Sequence, residues 1–451
     1  MPDLAARLAD YACSLRFADL PPETVHEAKR RVIDSLGVAV GALDADAAVV
    51  ARRCAARFGG QPAVPHLGGG TSTLEWATFV NGLLIRYLDY NDTYLSLEPA
   101  HPSDNLAAVL AVGALTGADG RALLTALVIA YEIHCRLCDA ASLRAHGVDH
   151  VTYVALSACA AACRLLGLNA ARTRHALGIA AVSNVALRQT RAGELSMWKG
   201  CAAANAARNG VFAALLAGEG LTGPAPAFTG ELGFERLVTR GPIALPAFGG
   251  AGAPFLIHHT SIKCWPAEYH AQSAIDAALE LRRAIGNVGA IEAVDVYTFD
   301  AAYDIIGRYA EAWAPRTRET ADHSLPYCTA VALLDGAVTL GQFAPERFTA
   351  ADVVALTSKV RVHRDAELTR RYPAGIPNRV VVTLRDGSRH VREVEHPCGH
   401  AGNPMSDAEV EAKFRRLVEP RLGSAKADAL LGACRTLETL PHAAELVQLV
   451  G

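Results

Sequence analysis

The sequence predicts a mainly α protein with a smaller α+β domain: an all-helical domain formed by both chain ends, with the α+β part inserted between them. Three observations predict it. Apolar residues recur at helical spacing through residues 1–266 with no strong strand signal; alternating, β-branched runs are confined to 267–400; and helical spacing returns over 401–451. With 51% of its 451 residues hydrophobic, the chain has apolar surface for a sizeable core.

Taken in order, Pro21-Pro22-Glu23 opens the first helix, and Val25, Ala28, Val32, Leu36 and Val40 form its apolar stripe. Ser72-Thr-Leu-Glu75 reads as a capping box for a helix to about Leu88. A polar loop from Arg86 to Asn105 follows, and Pro102 with Ser103 or Asp104 starts the next helix. Further helices fit 121–139, 151–166, 172–186 and 198–217, the last rich in small residues that permit close helix packing. In the second part, Ile291–Phe299 and Lys359–His363 alternate like strands, and Arg385-Asp-Gly-Ser388 is a hairpin turn between 379–384 and 389–394. Helices are expected at 301–312 and 324–340, and Ser406-Asp-Ala-Glu409 is a second capping box that opens the C-terminal tail.

Charge and hydropathy exclude several classes of function. A net charge of -3 without a long basic run argues against nucleic acid or an anionic membrane surface as partner. The most apolar run, 122–131, is too short for a membrane span, and the N-terminus has no continuous apolar segment of a signal peptide. A cytoplasmic location is therefore expected. The eleven cysteines lie mostly in Ala/Leu contexts, which predicts buried thiols rather than disulfides. Cys135-x-x-Cys138 after His134 has no second pair at metal spacing, so a packing role is favoured and no metal is expected.

The candidate chemistry starts in the 86–105 loop, which gathers Asp89, Asp92, Thr93, Glu98, His101, Ser103 and Asp104 between apolar helices. As a solvated connection it would be inert; as a buried loop it would be a site. His150 stands just before an apolar helix, where unpaired amides favour an anion, although a capping histidine is the plainer reading. Lys199 and Lys263 are lone cations in apolar surroundings, and a desolvated lysine can exchange protons near neutral pH. Tyr327 enters an apolar helix, where a tyrosine is more often core with a satisfied hydroxyl. No phosphate loop, dinucleotide fingerprint, serine elbow or zincin motif occurs, and no cofactor is expected.

The stretches Leu88-Asp-Tyr-Asn-Asp-Thr93, His101-Pro-Ser-Asp-Asn105, Ser196-Met-Trp-Lys199, Ile262-Lys-Cys-Trp-Pro266, Asp322-His-Ser-Leu-Pro-Tyr327 and Asn403-Pro-Met-Ser-Asp407 resemble the MmgE/PrpD family over essentially the whole chain. The family includes 2-methylcitrate dehydratases and cis-aconitate decarboxylases. The resemblance implies a helical domain, an inserted α+β lid, a homodimer and an active site between the domains. It implies that Asp89, Thr93, His101, His150, Lys199, Lys263 and Tyr327 are the family's functional residues in this chain. The length of the segment between Thr93 and His101 resembles the dehydratase branch, so a metal-independent 2-methylcitrate dehydratase of propionate catabolism is the expected activity. Decarboxylation, isomerisation or polycarboxylate binding without catalysis are the alternatives.

Such a dehydration needs a base for a C–H beside a carboxylate and an acid for the departing hydroxyl. With no cluster-binding motif, side chains are expected to supply both. His150 is the expected base, Asp89 would orient an imidazole or lysine, and His101 or Tyr327 would protonate the hydroxyl. Lys199, Lys263 and the helix start at Ser103 would hold the small-molecule polycarboxylate. Schiff-base chemistry at either lysine is a further possibility.

Overall fold

A computed structural model describes residues 3–451. It is mainly helical with a four-stranded sheet, and it divides into two compact units. The first comprises the chain up to Thr190, Gly200–Thr260 and Ser406–Gly451; the second comprises Arg191–Lys199 and Ser261–Met405.

The first unit is built from α1 (Leu4–Ser14), α2 (Pro22–Gly41), α3 (Asp46–Ala55), α4 (Leu74–Arg86), α5 (Leu106–Thr116), α6 (Gly120–Ala140), α7 (Val151–Leu165) and α8 (Ala170–Ser183), with α9 (Trp198–Gly218) belonging to it from Gly200 onward. Helix α5 is apolar on every side and buried from Leu106 to Gly113, so it forms the centre of the unit. Small residues set the helix spacing. A Cβ on Gly82 would come within 2.8 Å of Ala204 Cα, and one on Gly210 within 2.5 Å of the Ala155 carbonyl. The C-terminal helices α10 (Asp407–Leu422) and α11 (Ser424–Arg435) complete this unit. Lys413 of α10 is buried against Asp34 of α2 at 2.6 Å and donates to the Tyr90 carbonyl at 2.8 Å.

The second unit is a mixed sheet of β1 (Ile291–Thr298), β2 (Val360–Arg364), β3 (Asn378–Leu384) and β4 (Arg389–Val394), in the order β2-β1-β3-β4. β1 runs parallel to β2 with Val296 opposite Val362, and antiparallel to β3 with Val296 opposite Val380. The 385–388 turn closes the β3–β4 hairpin, with Gly387 at φ 85° and the Asp386 carboxylate accepting from the Ser388 amide. Helix α12 (Gln272–Ile285) lies against β3 and β4, and α13 (Leu325–Asp335) packs on α12. Among the described residues no helix is long and apolar enough to cross a membrane.

Four expectations are corrected. Helices α1 and α3 went unforeseen, although Leu4, Ala5, Leu8 and Ala12 of α1 and Ala47, Ala48, Ala51 and Ala55 of α3 recur at helical spacing on their buried faces. The Ser72 capping box does not form: the Ser72 hydroxyl donates to the Ala55 and Phe58 carbonyls, and Thr73 takes the cap position without a side-chain bond. Residues 301–312 are no single helix but a short α turn, a π turn over Tyr303–Gly307 and a 3-10 turn over Ala310–Trp313. Cys264 and Cys398 form a disulfide across 134 residues, against the expected absence of disulfides. The fold brings their segments side by side, with the Ala401 amide donating to the Ser261 hydroxyl and Gly399 against the Ile262 carbonyl.

Candidate active site

The 86–105 loop is part of the core of the first unit. Arg86, Asp89, Asn91, Asp92, Thr93, Glu98, Ser103, Asp104 and Asn105 are all buried, and Leu97 is the one well-exposed residue of the stretch. Such a loop must satisfy its polar groups internally. Glu98 does so by accepting from the Leu143 and Arg144 amides at 2.7 and 2.9 Å and from the Ser142 hydroxyl at 3.0 Å. The Asp92 carboxylate takes the Ser103 amide at 3.0 Å and the Tyr131 hydroxyl at 2.7 Å. The Ser103 amide therefore serves the loop itself.

At the end of α4 the chain turns through Asp89, whose φ of 51° is left-handed, a conformation that Asp tolerates better than most residues. This places the Asp89 carboxylate 2.6 Å from Nη1 of Arg86, both side chains being 1% exposed. Arg86 Nη2 lies 3.1 Å from His101 Nε2, while His101 Nδ1 lies 2.7 Å from the Asp92 carbonyl and 3.2 Å from the Thr93 hydroxyl. A guanidinium can only donate and a carbonyl can only accept. His101 is therefore the neutral tautomer with its proton on Nδ1 and its lone pair on Nε2.

His150 occupies the N-cap of α7, and its ring centroid is 5.5 Å from that of His101. Its Nδ1 lies 3.1 Å from the Asp149 carboxylate, which is fully buried. The orienting carboxylate of this imidazole is thus Asp149, while Asp89 serves Arg86. The first unit brings together Asp89, Thr93, His101 and His150; Arg86 and Asp149 were missed. Arg86 opens the polar stretch in sequence, and Asp149 adjoins His150, but nothing in the pattern singled out either.

In the second unit Lys199 is fully buried, with Nζ 3.1 Å from Asp322 Oδ1. The same carboxylate receives His323 Nδ1 at 2.6 Å and Arg318 at 3.3 Å. Burial raises the Asp322 carboxyl, but the opposing charges of Lys199, His323 and Arg318 outweigh it and hold the group below its usual range. Asp322 opens the Asp322-His-Ser-Leu-Pro-Tyr327 stretch, but nothing in the sequence pattern marks it as the partner of Lys199. Lys263 is also fully buried, and next to it in sequence Cys264 is tied to Cys398. Glu268 pairs with His270 at 2.7 Å. Burial opposes its ionisation, yet His270, with His323 and Lys263, brings its carboxyl down to about 2. Tyr327 is placed differently: its hydroxyl donates to the Gln342 carbonyl and its ring packs on Phe343, an arrangement of a satisfied core tyrosine.

Cys135 and Cys138 lie fully buried on α6 with thiols pushed well up by burial, and His134 Nδ1 faces the Asn105 amide at 3.0 Å. Both features fit packing inside a helix.

Two family models match this chain: the MmgE/PrpD N-terminal domain over residues 6–245 and the MmgE/PrpD C-terminal domain over residues 265–439. Among named relatives, a 2-methylcitrate dehydratase of Cupriavidus necator is 32% identical over 405 residues, covering 81% of this chain and 80% of that protein. A 2-methylcitrate dehydratase of Escherichia coli (strain K12) is 31% identical over 72% of this chain and 71% of its own length. An alkylcitrate dehydratase, phiI, of Fungal sp. (strain ATCC 74256) is 31% identical over 87% and 83%.

Proposed function

The chain belongs to the MmgE/PrpD family, and on that premise we propose that it is a carbon–oxygen lyase, a 2-methylcitrate dehydratase that removes water to give 2-methyl-aconitate. Relatives named dehydratases in bacteria and fungi support this reading over decarboxylation. A role in propionate catabolism, a cytoplasmic location and a homodimeric assembly belong to the same proposal.

The observation that carries the chemistry is the pair of imidazoles, 5.5 Å apart, each with a different neighbour. His101 is held neutral, its Nε2 lone pair accepting from Arg86; as the base that takes the proton beside a carboxylate it exchanges that hydrogen bond for the substrate's C–H. His150 faces the Asp149 carboxylate, which balances the charge of a doubly protonated ring, so it is the acid for the departing hydroxyl. This reverses the roles expected from the sequence alone. Arg86 donates to the base and Asp89 fixes Arg86. Thr93 and Ser103 hold the loop in shape. Lys199 and Lys263 are assigned to the substrate's carboxylates, with Asp322 holding Lys199 in place. Tyr327, its hydroxyl already engaged, is a structural residue.

The test is direct: incubate the protein with 2-methylcitrate, citrate and cis-aconitate and follow alkene absorbance and CO2 together. Alkene formation from 2-methylcitrate without CO2 is expected. Release of CO2 from cis-aconitate would replace this reading with decarboxylation.

A further inference from the structure

His150 lies between two residues that a single distant residue holds. The Asp149 amide donates to the Ala186 carbonyl at 2.9 Å, and the Ala186 amide donates to the Thr152 hydroxyl at 3.1 Å. The Thr152 amide returns to the Asp149 carbonyl at 3.0 Å, which closes a ring of three hydrogen bonds around the backbone of His150. Beside it, the Arg188 amide donates to the Gly147 carbonyl at 3.0 Å, and Val148 and Leu187 face each other as an antiparallel bridge. Segments 147–149 and 186–188 thus form a short strand pair next to the start of α7.

Thr152 is 2% exposed and stands at the second position of α7. Its bond differs from that of other buried helical threonines. Thr78, Thr125 and Thr329 each donate to the carbonyl four residues earlier at 2.8 Å, a local bond within their own helix. The Thr152 hydroxyl instead accepts from a residue 34 positions away. Val185 and Leu187, on either side of Ala186, are 44% and 68% exposed, so this segment meets the 147–152 turn through its backbone. The consequence falls on Asp149. Its Oδ1 lies 3.1 Å from His150 Nδ1 and 3.3 Å from the Val151 amide, so a drift of the backbone at 149 moves the carboxylate off the imidazole.

We propose that Thr152 is a positioning residue for the acid of the reaction: by holding the Ala186 peptide it keeps the Asp149 carboxylate on the His150 ring. The inference rests on the dehydratase reading and on His150 as its acid. Thr152→Val keeps the branched shape and removes the hydroxyl, Thr152→Ala removes it without replacing its bulk, and Thr152→Ser retains it.

The experiment follows alkene formation from 2-methylcitrate, and deuterium uptake into recovered 2-methylcitrate in deuterated water, for the wild type and the three variants. Thermal unfolding confirms that each variant is folded. Thr152→Val and Thr152→Ala should lower kcat for alkene formation about tenfold, part of the roughly 10²–10⁴-fold that a general acid supplies, with KM within about twofold. Deuterium uptake should fall much less, so the ratio of exchange to elimination should rise about fivefold or more, and Thr152→Ser should restore it. A merely structural loss would lower exchange and elimination together. A ratio that is unchanged or lowered in the folded Thr152→Val and Thr152→Ala variants overturns the positioning role while leaving the dehydratase reading intact. So does a Thr152→Ser variant as impaired as Thr152→Val. A wild type that forms no alkene from 2-methylcitrate overturns that reading and the positioning role with it.

Discussion

Arg86 points one guanidinium nitrogen at the Asp89 carboxylate, 2.6 Å away, and another at His101 Nε2, 3.1 Å away. A buried charge thus fixes which nitrogen of the imidazole carries the lone pair. Removing one partner of such a buried pair costs about 3–5 kcal/mol, because the other charge is left uncompensated. Arg86→Gln is expected to lower unfolding free energy by about that amount and to reduce kcat at least tenfold. The double variant Arg86→Gln with Asp89→Asn should recover much of the stability and none of the turnover. Urea unfolding and steady-state kinetics read the two effects separately, and recovery of both would remove Arg86 from the chemistry.

The assignment of base and acid is open to isotope exchange. In deuterated water, His150→Asn should still exchange the substrate proton beside the carboxylate while forming little alkene. His101→Asn should lose both exchange and elimination. Mass spectrometry of recovered 2-methylcitrate distinguishes them, and exchange that survives in His101→Asn and vanishes in His150→Asn would invert the roles.

Glu268 makes a pH-dependent contribution to stability. Its carboxyl is brought from 4.5 down to about 2, burial being outweighed by His270, His323 and Lys263. A depressed carboxyl binds fewer protons folded than unfolded, so its stabilisation is complete above pH 4.5 and fades as pH falls toward 2. A difference of about 2.5 pH units corresponds to roughly 3 kcal/mol. Glu268→Gln should therefore be less stable than the wild type by about that amount at pH 6, with the gap narrowing below pH 4.5. Denaturant unfolding at a series of pH values measures it, and a gap that is constant with pH would count against the Glu268–His270 pair as its source.

The Cys264–Cys398 link closes a loop of 134 residues. Cross-links of this reach stabilise by about 2–5 kcal/mol. Cys398→Ser should lower the melting temperature and abolish its response to a dithiol reductant, which the wild type should show. Lys263 adjoins the link, so KM for 2-methylcitrate should rise more than kcat falls on reduction. Alkylation followed by mass spectrometry counts the thiols released, and a wild type indifferent to reductant would exclude the cross-link in solution.

The sequence was legible where local chemistry is self-contained. Ser406 with Glu409 forms its capping box, and the Asp-Gly turn closes its hairpin, because each uses groups within a few residues. It misled where a distant partner wins. Ser72 has a cap motif, but the Ala55 and Phe58 carbonyls take its hydroxyl. At the site, the polar types of residue marked Asp89, His101, His150 and the lysines. Their roles depend on Arg86, Asp149 and Asp322, and those relationships exist only after folding. Tyr327 shows the same limit in reverse: its motif invites a catalytic reading, while the Gln342 carbonyl occupies its hydroxyl. The Cys264–Cys398 pairing had no local signature.

Glu98, clasped by two amides and a hydroxyl of residues 142–144, bears on timing as well as architecture. A segment anchored in this way has already lost its conformational entropy when the protein folds. Encounter with a ligand then requires no ordering of the 86–105 segment, so its contribution to affinity is not diminished by that cost. Association at this segment should accordingly follow a single phase set by diffusion and charge, with no slow step from loop closure.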